Sequence, residues 1–123
     1  MAEHLSDTNI FIAIFKGDAK LKTLIESSDS AINTIVYLEL IQGAKDKAEI
    51  DKIEKYLIQF ELIHFDKAVS QKAIELVRNY SKSHGLMLPD AIIAATCLEN
   101  DLTLLTFNVR DFRFINGLKL LTP

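Results

Sequence analysis

The stretch Leu5-Ser6-Asp7-Thr8-Asn9-Ile10-Phe11-Ile12 passes from a short apolar segment into a helix through a carboxylate, a hydroxyl and an amide. Residues 2–6 are a candidate first strand, and Asp7 or Thr8 is expected to cap a helix that begins near Asn9. In an open α/β sheet, ligands bind just outside the carboxyl ends of the strands. Asp7 therefore stands where such a fold places its functional groups.

Strands and helices are expected to alternate along the rest of the chain. Further strands are predicted at 31–33, 62–65, 102–107 and 118–121, and further helices at 19–26, 35–45, 48–60, 67–84 and 89–100. The clearest strand is 102–107, whose nearly continuous apolar content is typical of a strand buried on both faces. The alternation predicts a three-layer α/β/α domain with a central parallel sheet.

Several helix ends carry local signals. Asp18, Thr34 and Asp66 each precede a helical pattern and are predicted to be N-terminal caps. Gly85 follows the longest pattern and is predicted to end that helix. In the helix over 19–26, we expect three apolar side chains to face inward: Leu21, Leu24 and Ile25.

The bulk properties describe an ordinary globular chain. With 123 residues, 49% hydrophobic and 25% charged, residues 1–123 are expected to form a single domain. The net charge of -3 lacks the basic balance of a dedicated nucleic-acid binder, but it does not exclude an enzyme whose site is built from carboxylates. The single cysteine, Cys97, excludes an internal disulfide and favours the reducing cytoplasm. No apolar run is long enough to span a bilayer.

Nucleophile-based and histidine-based sites fit the residues poorly. Cys97 lies mid-helix in an apolar setting, which is typical of a structural thiol. The three histidines His4, His64 and His84 show no metal-ligand spacing. The few glycines form no phosphate-binding loop.

Carboxylates at the ends of elements remain as candidates. Asp7 follows the first strand, Glu39 lies on the helix after the second, and Asp90 opens the helix before the fourth. Asn108 and Asp111 follow the fourth strand. Converging carboxylates repel one another and are stable mainly around a divalent cation, and hard oxygen ligands suit Mg²⁺ or Mn²⁺. Such a metal supports phosphodiester hydrolysis without a histidine base.

Each carboxylate also has a structural interpretation. Asp7 is placed equally well to cap its helix. Asp90 at a helix start is favoured by the helix dipole, and Asp111 is of a type common in turns. Glu39 is harder to explain this way because it lies on an otherwise apolar helix, where an unpaired buried glutamate is rare. Spacing alone leaves both interpretations open.

Four segments together resemble a known family. They are Asp7-Thr8-Asn9 with Ile10-Phe11-Ile12, Glu39-Leu40 with Gly43-Ala44, Leu88-Pro89-Asp90-Ala91-Ile92-Ile93-Ala94-Ala95-Thr96, and Leu105-Thr106-Phe107-Asn108 with Asp111-Phe112. In this order they closely resemble the PIN-domain ribonucleases, and in particular the VapC toxins of type II toxin–antitoxin modules. The resemblance covers essentially the whole chain.

The resemblance implies an endoribonuclease that depends on Mg²⁺ or Mn²⁺. It places the metal ligands at Asp7 and Asp90, with Glu39 as a third acidic catalytic member. It also implies a homodimer, an RNA substrate, and inhibition by a cognate antitoxin whose C-terminal segment enters the active-site groove. Promoter DNA would be bound only through that antitoxin.

The chain departs from the family pattern at one acidic position. Asn108 stands where many PIN domains have a fourth carboxylate, and Asp111 lies nearby as a further candidate member of the site. Arg110 and Arg113 are the basic residues closest in sequence to this segment and are the first candidates for RNA contacts, with a solvated surface charge as the structural alternative for each.

Two alternatives stay open at this stage. A catalytically silent PIN-like module would bind RNA or a partner protein without hydrolysis, and the neutral Asn108 favours it. A phosphotransferase would use Asp7 as a covalent nucleophile, but such enzymes usually have a second Asp two positions later, where this chain has Asn9.

Overall fold

The computed structural model describes residues 2–123. Its strands are β1 (His4–Ser6), β2 (Ser30–Asn33), β3 (Glu61–Ile63), β4 (Thr103–Leu105) and β5 (Leu120–Leu121). Its helices are α1 (Thr8–Phe15), α2 (Ala19–Glu26), α3 (Thr34–Gln42), α4 (Lys47–Leu57), α5 (Lys67–His84) and α6 (Leu88–Asn100). A 3₁₀ turn follows β4 at Val109–Asp111.

The five strands form one sheet in the order β3-β2-β1-β4-β5, and every neighbouring pair is parallel. The sheet is flanked by six helices, so the prediction of a three-layer α/β/α fold with a parallel sheet is confirmed. The chain moves from β1 to β2 on one side and later returns to β4 on the other side. The junction between β1 and β4 is therefore the point where the strand order reverses, which is where such sheets bind ligands.

The register of β1 and β4 determines which residues meet at this junction. Ser6 pairs with Leu105, so the next residues along the two strands, Asp7 and Thr106, lie side by side. The backbone N–H of Asp7 donates to the carbonyl of Leu105 at 3.0 Å. The carboxyl ends of the two strands are thus joined directly beside Asp7.

The core is formed by apolar side chains from both the sheet and the helices. Leu5, Ile32 and Leu104 are fully buried on three adjacent strands. The slender face of α6 is equally inaccessible, with Ala91, Ala94 and Ala95 at 0% exposure. Small side chains there let α6 approach its neighbours closely, and it makes its most extensive packing with α5.

Local capping signals located several helix ends correctly. Asp18 and Asp66 accept from the backbone N–H groups of Leu21 and Val69, and α2 and α5 have the predicted bounds. Gly85 ends α5 in the left-handed conformation, at φ 70°.

Other expectations about these elements were wrong. Asn33, rather than Thr34, caps α3, because its side chain accepts from the N–H of Val36. Helix α3 ends at Gln42, short of the predicted 45, and α4 covers Lys47–Leu57 rather than 48–60. Leu24 is 39% exposed instead of facing the core.

No helix in the described range combines the length and apolar content that a bilayer span requires.

Candidate active site

Asp7 is buried at the carboxyl end of β1 and is the N-terminal cap of α1. Its Oδ1 accepts a 2.7 Å hydrogen bond from the backbone N–H of Thr8. Its Oδ2 accepts a 2.9 Å hydrogen bond from Oγ1 of Thr106. The predicted cap role is therefore confirmed, and each carboxylate oxygen still has a lone pair free for a further partner.

Thr106 is the residue that orients Asp7, and no role for its side chain was predicted from the sequence. Its side chain is fully buried directly after β4. Its Oγ1 accepts a 3.0 Å hydrogen bond from the backbone N–H of Asn108 while it donates to Asp7. Its signal in the sequence is weak, because Thr103 places a second hydroxyl in the same segment.

Glu39 is linked to Asp7 through Thr8. The side chain of Glu39 is half-buried on α3, and its Oε1 accepts a 2.8 Å hydrogen bond from Oγ1 of Thr8. The same Thr8 donates its backbone N–H to Asp7. One residue therefore holds two carboxylates on neighbouring helices, which explains how a glutamate is accommodated on the apolar helix α3.

Asp90 lies in the first turn of α6 and is half-buried. The positive end of a helix dipole favours an ionised carboxylate at this position. Nevertheless, burial, followed by the charges of Asp7, Asp111 and Glu39, raises the pKa of Asp90 from 3.8 to about 6. Desolvation is the largest cause of this shift, and the three neighbouring carboxylates add to it.

The pKa of Asp7 is raised by similar surroundings. Burial raises the pKa of Asp7 above its usual value, and the charges of Glu39 and Asp111 raise it further. The hydrogen bonds from Thr106 and Thr8 act in the opposite direction but do not reverse the shift. We refer to Asp7, Glu39, Asp90 and Asp111 as the acidic cluster.

The two residues after β4 take different places around the cluster. Asp111 is exposed at the end of the 3₁₀ turn, and its charge reaches both Asp7 and Asp90. Asn108 is half-buried just before the turn, and its backbone N–H is bonded to Thr106. Asp111 thus adds a negative charge beside the neutral Asn108.

The donor set fits a hard divalent cation in its chemistry. Every charged member of the cluster offers carboxylate oxygens, which are the ligands that Mg²⁺ and Mn²⁺ prefer. Within residues 2–123, no three Asp, Glu, His or Cys side chains are close enough together, as they stand, to share one ion.

A cavity of about 560 Å³ opens beside the cluster. It is lined by Asp90 and Asp111 together with Arg110 and Arg113. The two arginines predicted to contact RNA are therefore placed next to the carboxylates. Their role in binding RNA stays a prediction.

An apolar groove of about 660 Å³ approaches the cluster from another side, between α1, α3 and α4. Ile12, Phe15 and Tyr56 line it, and Glu39 lies among its lining residues. Ile12 and Phe15 expose about two-fifths of their surface, at 37% and 41%. We call this the apolar groove.

Cys97 lies near the cluster but is not arranged as a nucleophile. Its side chain is fully buried in α6, and burial raises the pKa of the thiol far above its usual value. A neutral, inaccessible thiol agrees with the structural role that the sequence indicated.

Comparisons with known proteins agree with one another. The family model described as PIN domain matches residues 5–117. Ribonuclease VapC1 of Rickettsia felis is 31% identical, over 94% of this chain and 92% of its own length. Ribonuclease VapC10 of Mycobacterium tuberculosis is 30% identical, over 94% of this chain and 90% of its own length.

A solved structure shows the same relationship in three dimensions. A chain of a toxin–antitoxin complex from Klebsiella pneumoniae is 33% identical and superposes with a TM-score of 0.83, covering 98% of both chains. Because the family model spans nearly all of the sequence, and VapC relatives at 30% identity or more cover most of it, the chain belongs to the PIN-domain family and groups within it with the VapC proteins.

Proposed function

We propose that this chain is a Mg²⁺-dependent endoribonuclease and the toxin of a type II toxin–antitoxin module. It would act as a single PIN domain over residues 1–123, as a homodimer and in the cytoplasm. Its relatives are named ribonucleases, and the structure from Klebsiella pneumoniae is described as a toxin–antitoxin complex. Mn²⁺ is the alternative metal.

One observation supports the activity most directly. The acidic cluster lies at the β1–β4 junction, where burial, and after it the charges of the cluster, raise the pKa of both Asp7 and Asp90. Placing Asp7 and Asp90 beside two further carboxylates costs stability in the folded protein, because burial and neighbouring like charges disfavour the ionised forms of Asp7 and Asp90. A divalent cation removes that cost, so the arrangement is best explained as a site built to hold one.

Asp7 and Asp90 would hold the metal, with Glu39 as the third acidic member and Asp111 as a further contributor of charge. When bound, the metal supplies charge to a phosphodiester and lowers the pKa of a water molecule. Thr106 and Thr8 would keep the carboxylates of Asp7 and Glu39 in fixed orientations. These two hydroxyls preorganise ligands that otherwise repel each other.

Arg110 and Arg113 would bind the RNA backbone next to the cluster. Both line the cavity that also contains Asp90 and Asp111. Guanidinium groups bind phosphate with paired hydrogen bonds, and they offset the negative field of the carboxylates. A chain with a net charge of -3 can therefore accept RNA through a local basic rim.

The activity is tested on RNA with Mg²⁺ and with excess EDTA. Wild-type protein should cleave RNA, EDTA should abolish cleavage, and added Mg²⁺ should restore it. Asp7→Asn and Asp90→Asn should lower the cleavage rate by at least about 100-fold, which is about 2.7 kcal/mol of transition-state stabilisation. Asp51→Asn is the matched control, because Asp51 is exposed on α4 outside the cluster.

The outcome also separates an enzyme from a silent binding module. Cleavage that persists in EDTA, or in both cluster variants, would refute the metal mechanism. RNA binding without cleavage in Mg²⁺ or Mn²⁺ would instead identify the silent module that the neutral Asn108 favours. Sequencing the ends of RNA cleaved in cells, with Asp7→Asn as the reference, would then identify the target.

The antitoxin partner is proposed to bind the apolar groove. This groove presents exposed apolar side chains, and Glu39 among its lining residues brings it to the acidic cluster. An apolar segment bound there would reach the cluster with its end and block it. Promoter DNA would then contact the complex only through the antitoxin.

This part is tested by co-expression with the product of the gene immediately upstream. Phe15→Asp should abolish the complex, because it places a charge on the apolar wall of the groove. Ile58→Asp is the control, since Ile58 is an 85% exposed apolar residue that does not line the groove. Equal binding by both variants would place the partner elsewhere.

A further inference from the structure

The cavity beside the acidic cluster contains an aromatic pair as well as the two arginines. His84 at the end of α5 and Phe114 after the 3₁₀ turn both line it. Their rings are stacked, with centroids 4.3 Å apart and planes inclined by 12°. We call this pair the His84–Phe114 stack.

The His84 ring is held in place from two directions. Its Nδ1 shares a 2.8 Å hydrogen bond with Oγ of Ser83. The Tyr80 ring contacts it edge-on, with ring centroids 5.8 Å apart and planes inclined by 70°. The Tyr80 centroid also lies 5.3 Å from that of Phe114. One face of the imidazole is therefore covered by Phe114, while the residue as a whole is exposed. These contacts give the exposed ring a defined orientation beside Phe114.

The cavity offers a nucleotide each of the contacts it needs. Its volume of about 560 Å³ lies within the size range of small-molecule sites. Arg110 and Arg113 supply positive charge for a phosphate, and the His84–Phe114 stack supplies a flat ring surface. Proteins that bind single-stranded nucleic acid combine these two elements, a basic groove and aromatic side chains on which bases stack.

We propose that the His84–Phe114 stack binds one unpaired nucleobase of the RNA, next to the phosphate held by Arg110 and Arg113. The inference rests on the proposed function and adds a base subsite to it. Because the faces of a paired base are covered by its neighbours in a duplex, the subsite selects RNA that is single-stranded or looped at this position. Stacking does not depend on base identity, so the subsite selects strand geometry more than sequence.

The test measures binding of two fluorescein-labelled eight-nucleotide probes by fluorescence anisotropy. One is oligoadenylate, and the other has the same ribose-phosphate backbone without bases. Ca²⁺ replaces Mg²⁺ to supply divalent charge, and a gel checks that the probes stay intact. Wild-type protein should bind the probe with bases on the order of tenfold more tightly, as expected for one stacked base.

Three variants separate stacking from charge and from loss of fold. His84→Ala should remove the preference for the probe with bases, and His84→Phe should retain it because phenylalanine still stacks. Arg113→Ala should weaken the binding of both probes by the same factor. Asn79→Ala, at an exposed position of the same helix, should match wild type. Unchanged thermal unfolding of the His84 variants would exclude a general loss of structure.

The outcomes are distinct from those of the cleavage test. Equal affinity of wild type for the two probes, including no measurable binding of either, overturns the subsite. A preference that survives in His84→Ala overturns it as well and leaves the cavity to another partner such as a protein segment. If wild type cleaves RNA but gives either of these binding results, the base subsite is refuted and the proposed function stands. If binding depends on the bases and His84 but no RNA is cleaved, the proposed function is refuted and the subsite stands.

Discussion

Oγ1 of Thr106 donates a 2.9 Å hydrogen bond to Oδ2 of Asp7, and the two residues are 99 positions apart in the chain. The parallel pairing of β1 with β4 brings them side by side. Because Oγ1 also accepts from the backbone N–H of Asn108, the hydroxyl proton is directed toward Asp7. The hydrogen bond opposes the burial that raises the pKa of this carboxylate.

Thr106→Val should therefore weaken the proposed activity through Asp7. Valine has nearly the same shape but cannot donate, so burial and neighbouring charge would raise the pKa of Asp7 further. An acid with a higher pKa ionises only at higher pH, and the rising limb of the pH–rate profile should move upward. We expect cleavage to fall on the order of tenfold, as for the loss of one hydrogen bond to a charged group.

The control for this prediction is Thr103→Val. Thr103 begins the same strand, and its side chain is only half-buried. This variant should keep both the rate and the pH profile of wild type. A Thr106→Val protein with a lower rate but an unmoved pH profile would show that the hydroxyl matters for packing rather than for Asp7.

Thr8 is the second hydroxyl that holds the cluster, and its effect is expected through Glu39. Thr8→Val removes the 2.8 Å hydrogen bond to Oε1 of Glu39 but keeps the backbone N–H that binds Asp7. We expect a loss of cleavage of about tenfold or more, in line with one hydrogen bond to a charged group. Kinetics over a range of RNA concentrations should show this loss mainly in kcat.

Thr8→Ser provides the matched comparison, because serine retains the hydroxyl. It should restore most of the rate that Thr8→Val loses. If serine and valine are equally impaired, the contact with Glu39 does not carry the effect. A Glu39→Gln variant combined with Thr8→Val should then show whether the two losses are independent.

The sequence predicted the fold where local signals exist. Asp18, Asp66 and Gly85 define the ends of α2 and α5 through hydrogen bonds and backbone conformations that involve only neighbouring residues. The strands were located, but all except β2 were predicted too long, as at 102–107, where only Thr103–Leu105 pairs in the sheet. Strand length depends on which residues find a partner on the adjacent strand, and no local pattern contains that information.

The acidic cluster could be anticipated because parallel strands direct their carboxyl ends to one edge. Asp7, Glu39 and Asp90 were all candidates on this ground, and the structure brings their charges within reach of one another. The hydroxyls of Thr8 and Thr106 were missed as partners because their contacts span 31 and 99 positions. Such contacts depend on the register between strands and on helix packing, which single residues do not reveal.

The acidic cluster should make metal-free protein less stable as the pH rises. The pKa of Asp90 is about 6 in the folded chain and 3.8 in the reference state. Below pH 3.8 the carboxyl is neutral in both states, while above about 6 it is charged in both and is penalised only in the folded one. The penalty of Asp90 on the free energy of unfolding is therefore absent below pH 3.8 and reaches its full size above about pH 6.

Asp90→Asn should remove this penalty. In EDTA at neutral pH, the variant should be more stable than wild type by on the order of 1 kcal/mol, a value reduced for solvent screening because Asp90 is only half-buried. The difference should vanish near pH 4. Urea unfolding at both pH values, with Asp51→Asn as the control, measures it. A variant less stable than wild type at neutral pH would contradict the prediction.

Asn33 should be a larger determinant of stability than an exposed cap of the same kind. Its side chain is fully buried, accepts from the N–H of Val36 at 3.0 Å, and donates to Oγ1 of Thr96 at 3.2 Å. Asn33→Ala removes the cap of α3 and leaves a buried N–H without its acceptor. We expect a loss of about 2–3 kcal/mol in the free energy of unfolding.

Asp46→Ala is the comparison that isolates burial. Asp46 caps α4 through a 2.9 Å hydrogen bond from the N–H of Glu49, but it is exposed, so water can replace the lost acceptor. That variant should lose only about 1 kcal/mol or less. Urea unfolding of the two variants tests the difference, with the same dependence of the unfolding free energy on urea concentration used for both. Equal losses would mean that the contact between Asn33 and Thr96, which joins α6 to the start of α3, contributes nothing beyond an ordinary cap.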